Sequence, residues 1–370
     1  MGNGPEYREF GQTGQRISRL GLGAMRLPQA NGRVDLDAAV RLIRHALDAG
    51  INVLDTAHVY AGSEEAIGRA IADRERASFL LMTKAPPASA PGAIRRCLET
   101  SLARLGTQYV DFFLAHDARA DRADALRVFL DEAHRAQEEG LVRHVGFSSH
   151  DTPAGILRLI DMDAFECMLV QYSLLDTSNR VPMHYARLKG LGVAVMGPLA
   201  GGRLLAPSEA TRAYGDAGRW GIWPALRFVT AIPDLHVAFS GMQTAEQIDE
   251  NLAIADDHEP LSDEERRQIE LTAAERRNLS DLYCTGCGYC MPCPNGVNVP
   301  EVFRLAQYVR LYGLREYASR LYAAQVQLGQ GADHCYRCGD CDAKCPQELR
   351  IADLLADSHK LLGGKTLNSM

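Results

Sequence analysis

Eight of the chain's ten cysteines stand in two short runs in its last quarter, and their spacing implies a particular metal chemistry. Cys284, Cys287, Cys290 and Cys293 read C-T-G-C-G-Y-C-M-P-C-P, while Cys335, Cys338, Cys341 and Cys345 read C-Y-R-C-G-D-C-D-A-K-C-P. The second run has the C-x2-C-x2-C-x3-C-P spacing of a [4Fe–4S] site, and the first is that spacing with one residue removed. Three thiolates separated by pairs of residues let a tight turn wrap one face of a cube. The fourth, followed by proline, lies on a segment leading away and can ligate the other cluster. The expectation is therefore two clusters, one on Cys284, Cys287, Cys290 and Cys345, the other on Cys335, Cys338, Cys341 and Cys293. Zinc is the rival, but it wants two knuckles and four ligands in all, so a third thiolate in each knuckle would have no task. The run holding Cys293 is one residue short, and the spacing leaves the membership of Cys293 open.

A second set of residues with chemical potential lies in the first third of the chain. Asp55 ends an apolar run in L-D-T-A-H-V-Y, Lys84 ends L-L-M-T-K, and His116 ends V-D-F-F-L-A-H; Tyr60 follows Asp55 by five residues. An apolar strand that stops on one ionisable residue is unusual, because burying such a group without a partner is costly.

The elements that must position these groups are legible from residue 19 to about 255. Strand-like runs occur at Leu20–Leu27, Asn52–Thr56, Phe79–Lys84, Val110–His116, Arg143–Ser148, Cys167–Tyr172, Gly192–Gly197 and Leu235–Gly241. Patterns of helical period separate them, as at 36–50 and 91–106, where Ala93, Ile94, Cys97, Leu98, Leu102 and Leu105 make one apolar face. Gly50, Gly106, Gly140 and Gly190 stand where left-handed helix caps belong. Eight strand–helix units in ~250 residues predict a (β/α)8 TIM barrel, whose reactive groups sit at the C-terminal ends of its strands. Tyr7–Ser18, with its Gln12-Thr13-Gly14 turn, predicts a β-hairpin that plugs the barrel bottom.

Beyond residue 261 the pattern changes. Ser262-Asp263-Glu264-Glu265 is a helix start signal for Leu261–Leu282, and Val299–Ala323 is helical in period. With no strand pattern there, the expectation is a small, mostly α-helical ferredoxin-like domain, with residues 1–278 forming the barrel and 279–370 the cluster domain.

Bulk composition narrows the classes. The 370 residues are 46% hydrophobic and 24% charged, ordinary for a globular protein, and the net charge of −7 argues against a nucleic-acid partner. No run approaches the ~18 apolar residues of a membrane span. The opening MGNGPEYREF has neither half of a signal peptide, and clustered cysteines fit a reducing, cytoplasmic setting. Cys97 and Cys167 stand alone in apolar surroundings and are expected to be packing residues.

From residue 5 to about 275 the chain resembles the aldo-keto reductases. The resemblance rests on the D-T-A-x-x-Y spacing and on the strand-end lysine and histidine. It implies a catalytic tetrad of Asp55, Tyr60, Lys84 and His116 in NADP(H)- or NAD(H)-dependent reduction of a small-molecule carbonyl, or oxidation of an alcohol. Tyr60 would be the proton donor, its pKa lowered from ~10 by the Lys84 ammonium, with Asp55 pairing Lys84 and His116 orienting the carbonyl. The resemblance places Gly23, Ala24, Met25 and Asp55 among the cofactor contacts. It places Ser148, Ser149 and Gln171 at the carboxamide, with a serine replacing the family's asparagine. Met196 stands where a tyrosine often stacks on the nicotinamide, and Gly197, Pro198, Leu199 and Gly201 belong to the loop over the pyrophosphate. Gln247, Glu250 and Asn251 match the adenosine-binding helix. The usual 2′-phosphate grips fall on Gly241, Met242 and Gln247, which lack their cations, so the choice between the two dinucleotides is open with a slight lean to NADP.

A reductase barrel joined to a C-terminal dicluster domain resembles a bacterial and archaeal branch of ferredoxin-containing oxidoreductases. Nicotinamide moves a hydride and each cluster one electron, and no flavin signature joins the two. Three expectations follow: the clusters exchange electrons with a ferredoxin or flavoprotein partner; they are structural or oxygen-sensing in a simple carbonyl reductase; or the protein is a non-catalytic electron-transfer subunit, against which the intact tetrad speaks. The loops around 26–34, 86–91, 117–123 and 203–220 are expected to set the substrate, and Arg203, Arg212, Arg219, Trp220 and Trp223 to meet either the substrate or the cluster domain.

Overall fold

The computed structural model of the chain describes residues 6–88, 90, 92–174, 176–200, 222–256, 261–267, 284, 288–312 and 315–363. Cys287, Gly201, Arg203, Arg212, Arg219, Trp220, most of Leu261–Leu282 and the expected boundary at 278/279 lie outside the described residues. The described residues divide into two compact units, one of 6–200 with 222–265 and one from 266 onward.

In the first unit, strands β1 (Leu20–Gly23), β2 (Val53–Asp55), β3 (Leu80–Ala85), β4 (Val110–Ala115), β5 (Val142–Ser149), β6 (Cys167–Gln171), β7 (Gly192–Met196) and β8 (Val237–Ser240) close a barrel in chain order. Every neighbouring pair is parallel, β8 with β1 included. Each strand is followed by a helix: α1 (Leu36–Asp48), α2 (Ser63–Ile71), α3 (Ala93–Leu105), α4 (Ala123–Glu138), α5 (Pro153–Ile160), α6 (Arg180–Leu188), α7 (Trp223–Thr230) and α8 (Ala245–Ala255). Sequence explains where they begin and end. The side chains of Asp35, Thr152 and Thr244 accept backbone N–H groups at the starts of α1, α5 and α8. Gly50, Gly106, Gly140 and Gly190 all have positive φ just beyond helices. Helix α1 buries Ala39, Leu42, Ile43 and Ala46, the three-and-four spacing of one face.

Two apolar layers result, because side chains alternate across a strand. The outer one lies between strands and helices. The inner one fills the barrel with Val53, Leu80, Met82, Phe112, Leu114, Cys167, Leu169, Ala194, Val237 and Phe239. The strands Tyr7–Glu9 and Arg16–Ser18 form the expected antiparallel hairpin, and its Phe10 and Ile17 belong to this inner layer. The Phe10 ring meets Phe112 edge to face at 5.1 Å. Gly11 makes the insertion possible: its φ is +60°, and a Cβ there would lie 2.3 Å from the Gly192 nitrogen.

The run read as a strand over Leu20–Leu27 is shorter. Strand pairing stops at Gly23, and Ala24–Arg26 form a 3-10 turn that carries the chain outward over the barrel rim. In the loop that follows, Gln29–Ala30 pairs with Arg33–Val34. The Ser262 signal starts a helix as expected: Glu265 N donates to Ser262 Oγ at 3.2 Å and Ser262 N to Glu265 Oε2 at 2.6 Å, a reciprocal cap.

The second unit is built of helices, with no strand among its described residues. The periodic stretch Val299–Ala323 holds two helices rather than one, α9 (Val299–Tyr312) and α10 (Arg315–Gln327). Val302, Phe303, Leu305 and Ala306 of α9 pack with Ala318 and Tyr322 of α10 and with Ile351 and Leu355 of α11 (Ile351–Leu361). No helix among the described residues is long and apolar enough to cross a membrane.

Candidate active site and cluster sites

Strand periodicity explains how the ionisable residues come together. Asp55 follows Val53 on the inward face of β2, Lys84 follows Leu80 and Met82 on β3, and His116 continues Phe112 and Leu114 at the end of β4. All three therefore stand above the apolar filling at the C-terminal mouth. Lys84 Nζ lies 2.5 Å from Asp55 Oδ1 and donates to the Thr56 carbonyl at 2.6 Å. Both side chains are buried, which by itself raises the Asp55 pKa and lowers that of Lys84; each partner's charge opposes the shift. The Lys84 ammonium lies 5.3 Å from the centre of the Tyr60 ring. That ring meets His116 edge to face, with centroids 5.7 Å apart. Burial holds the His116 pKa well below its ordinary value, assisted by Lys84 and then His150, so its imidazole is neutral near pH 7.

The loop that carries Tyr60 is tied at several points. Thr56 N and His58 N donate to the Met82 and Lys84 carbonyls at 2.8 and 2.9 Å, which extends β2 past its last paired residue. Thr56 Oγ1 and Ser63 Oγ are 2.7 Å apart, and Ser63 Oγ donates to the Ala24 carbonyl at 2.9 Å. Beneath the loop, the fully buried Glu64 accepts from Thr83 Oγ1 at 2.8 Å and from Arg104 Nη1 at 3.2 Å.

The expected dinucleotide contacts are distributed around the same mouth. Gly23, Ala24 and Met25 sit at the end of β1, and Gly197, Pro198 and Leu199 follow β7. Gln171 and Met196 are paired residues at the ends of β6 and β7. Alternation separates the two serines. Ser148 faces the barrel interior, accepting from Asp117 N at 3.2 Å. Ser149 faces outward and spends its one proton on the Ala118 carbonyl at 2.6 Å, so in this arrangement it secures the strand end rather than reaching into the mouth. Gln247 Oε1 accepts from Gln243 N at 2.8 Å, inside the cap that starts α8. Asn251 is buried beside Ser240, its amide donating to Ser240 Oγ at 3.1 Å, while its Oδ1 has no hydrogen-bond partner among the described residues. Glu250 lies half-exposed next to it.

These features fit a dinucleotide. Asn251, on α8, stands beside the end of β8, at the side of the mouth where the resemblance places adenine. Gly197, with φ +65° beside the Gln171 amide, leaves backbone room at the opposite side of the mouth. Glu64, Arg104 and Arg26 also stand close to these groups and were not singled out by the sequence. Glu64 had a signal, since it shares the buried face of α2 with Ile67 and Ile71 at three- and four-residue spacing. Arg26 lies along Gly241, with its Cβ 3.4 Å from where a side chain there would begin.

In the second unit, cysteines from both runs converge. A pocket of ≈ 320 Å³, counted with its open mouth, is lined by Cys284, Cys290 and Cys345 together with Val299, Phe303 and Ile351. Among the described residues no three of His, Cys, Asp and Glu are close enough to grip a single metal ion. The three thiols instead surround a cavity, as a cube of iron and sulfide requires. Cys335 lies near enough to Cys341 to help raise its pKa, which is pushed up to about 11 chiefly by burial and Asp342. Thiols so placed ionise readily only against bound metal. Cys293 packs on the same apolar core as Cys284, Cys290, Cys335, Cys341 and Cys345, and Cys338 is exposed. Asn298 N, just after Cys293, donates at 3.0 Å to the Gln330 carbonyl, just before Cys335. Of the isolated cysteines, Cys167 is buried in the barrel filling with its pKa raised by burial, and Cys97 is half-buried against the outer core.

A closed parallel barrel with ionisable groups at its C-terminal mouth, joined to a helical unit with grouped thiols, is a (β/α)8-barrel protein with a cysteine-rich helical domain. The Aldo/keto reductase family model matches residues 19–219, and that of a 4Fe-4S dicluster domain matches residues 283–351. The chain belongs to the aldo/keto reductase family and is an oxidoreductase with a 4Fe-4S dicluster domain. It is 26% identical to L-galactose dehydrogenase of Arabidopsis thaliana, over 72% of this chain and 93% of that protein. It is 32% identical to 6-dehydroglucose reductase of Novosphingobium aromaticivorans, over 58% of this chain and 75% of that protein. Among solved structures, an aldo-keto reductase from Klebsiella pneumoniae in complex with NADPH superposes with a TM-score of 0.62 at 26% identity, covering 72% of this chain and 94% of that one.

Proposed function

We propose that the barrel reduces a small carbonyl compound, or oxidises the corresponding alcohol, with NADP(H) or NAD(H), and that Tyr60 exchanges the proton. The observation that carries this is the Lys84 ammonium, held 2.5 Å from Asp55 and 5.3 Å from the Tyr60 ring. When bound, the dinucleotide supplies or accepts a hydride at the substrate carbon. In reduction, Tyr60 donates its phenolic proton to the carbonyl oxygen. The phenolate left behind is favoured by Lys84, whose own charge is kept by Asp55 and the Thr56 carbonyl. His116, neutral at pH 7, donates a ring N–H to the same oxygen and relays the replacement proton to Tyr60. In oxidation the phenolate takes the hydroxyl proton.

Ser148 and Gln171 would hold the carboxamide, Met196 would pack on the nicotinamide, and the loop of Gly197, Pro198, Leu199 and Gly201 would cover the pyrophosphate, with every one of these but Pro198 offering a backbone N–H. Gly23, Ala24 and Met25 would border the ring from β1. Asn251 and Glu250 would meet adenine, at the position beside Ser240 where β8 ends. NADPH in the Klebsiella relative favours NADP(H), whereas Gly241 and the capped Gln247 supply no cation for its extra phosphate. Tyr60→Phe should abolish carbonyl reduction with cluster absorbance unchanged. Turnover retained in that variant would refute the assignment.

For the second unit we propose two [4Fe–4S] clusters, on Cys284, Cys287, Cys290 and Cys345 and on Cys335, Cys338, Cys341 and Cys293. The convergence of Cys284 and Cys290 with Cys345 around one pocket supports this pairing of the runs. When loaded, the clusters carry single electrons, here exchanged with a ferredoxin or flavoprotein partner. A chain bearing so many metal-binding thiols suits a reducing, cytoplasmic setting. Stopped-flow mixing of anaerobic protein with NADPH and a flavoprotein reductase, whose flavin splits the hydride into single electrons, tests the electron role: bleaching of the cluster absorbance and its recovery on adding substrate are expected, and steady turnover without bleaching would leave the clusters structural.

A further inference from the structure

We propose that Arg104 is a positioning residue for Tyr60, clamping the loop between β2 and α2 by joining the His58 carbonyl to the buried Glu64 carboxylate. The inference rests on the reading of Tyr60 as proton donor. Arg104 stands in the last turn of α3. Its Nη1 donates both to the His58 carbonyl at 3.0 Å and to Glu64 Oε2 at 3.2 Å, and its Nε lies 3.3 Å from Glu65 Oε1. His58 is two residues from Tyr60, and its own N–H is bonded to the Lys84 carbonyl. The clamp therefore joins the Tyr60 loop to the residue that carries the ammonium.

Its two ends are fixed independently. Glu64 is wholly buried, also accepts from Thr83 Oγ1, and sits in the first turn of α2, where the helix dipole favours an anion. The backbone of Arg104 is pressed against α2 at Gly68, where a Cβ would lie 2.4 Å from the Arg104 carbonyl oxygen. Nη1 makes both bonds while Nε meets Glu65, so the guanidinium ties three groups from two nitrogens, which the single nitrogen of a shorter lysine does not reproduce.

The test uses the cluster-loaded protein with an aldehyde found by screening. Arg104→Met is made in a Glu64→Gln background, so that no buried carboxylate is stranded, and Arg104→Lys is made alone. Each variant is first checked for stoichiometric NADPH binding. The expected result is a fall in kcat of about 10- to 100-fold, the scale of a misplaced catalytic group, with KM and the NADPH Kd within about threefold of the parent. A residue that only stabilises the fold would lower the melting temperature and leave kcat of the folded protein alone. A kcat within about threefold of the parent in a variant that binds NADPH, or a change confined to KM, overturns the proposal. If the double variant does not fold, Arg104→Lys decides by the same criteria. Tyr60→Phe run in parallel separates the two ideas, since turnover retained there refutes the proton-donor reading itself.

Discussion

Replacing Lys84 by methionine keeps the length of the side chain and removes its charge, and the structure sets the size of the effect. The ammonium lies 5.3 Å from the centre of the Tyr60 ring. Coulomb's law at an effective dielectric of about 20 makes a unit charge at that distance worth about 3 kcal/mol to a phenolate. That corresponds to a phenol pKa roughly two units higher. Alcohol oxidation, which needs the phenolate, should slow about 100-fold at neutral pH, and the rising limb of its pH–rate profile should move up by about two units. The variant also leaves Asp55 buried without its partner, so its carboxyl takes up a proton. Breaking such a pair costs about 3–5 kcal/mol of stability, which a domain holding about 5–15 can survive. The assay is the formation of reduced nicotinamide from an alcohol substrate between pH 6 and 10, on protein whose dinucleotide binding is first confirmed. A limb that stays within about half a unit of the parent would refute the argument, because the charge at this distance could not then be what tunes Tyr60.

Other consequences follow from the buried imidazoles and the cysteines. Burial and then Arg187 push the His236 pKa down to about 4 from 6.5. As pH falls through the window from about 6.5 to about 4, the unfolded chain takes a proton that the folded one refuses, so stability is lost across it and the loss levels off below. His116 acts in the same direction. Melting temperature followed by far-UV circular dichroism should show this slope, and His236→Gln should flatten it; an unchanged slope would mean that the imidazole is not kept neutral. Cys345→Ala should remove about half of the iron and acid-labile sulfide, because one of two cubes loses a ligand. Full iron content in that variant would exclude Cys345 from the cluster set.

Much of the candidate site was legible because its signals are local. A strand alternates in period two, so a polar residue ending an apolar run lies on the face of its apolar predecessors. That places Asp55 above Val53 and Lys84 above Met82 before any contact is known. The cysteine spacings are local too, since a turn of a few residues must wrap one cube. Other features depend on how distant segments meet. Ser148 and Ser149 look equivalent in sequence, yet the pleat turns one inward and commits the other to the Ala118 carbonyl. Gln247 matches a ligand-binding position but is taken up by its own helix cap. Val299–Ala323 reads as one periodic stretch and folds as two helices.

By itself the sequence determined the eightfold alternation of strands and helices, the polar groups that end the strands, and the two cysteine runs, because each follows from the stereochemistry of a few adjacent residues. Tertiary structure alone decided that Arg104 joins the Tyr60 loop to α2 from 40 or more residues away, and that Ser149 turns outward onto the Ala118 carbonyl. The physical reason is distance along the chain. A hydrogen bond between segments so far apart depends on the packing of every element between them, and no local period encodes that.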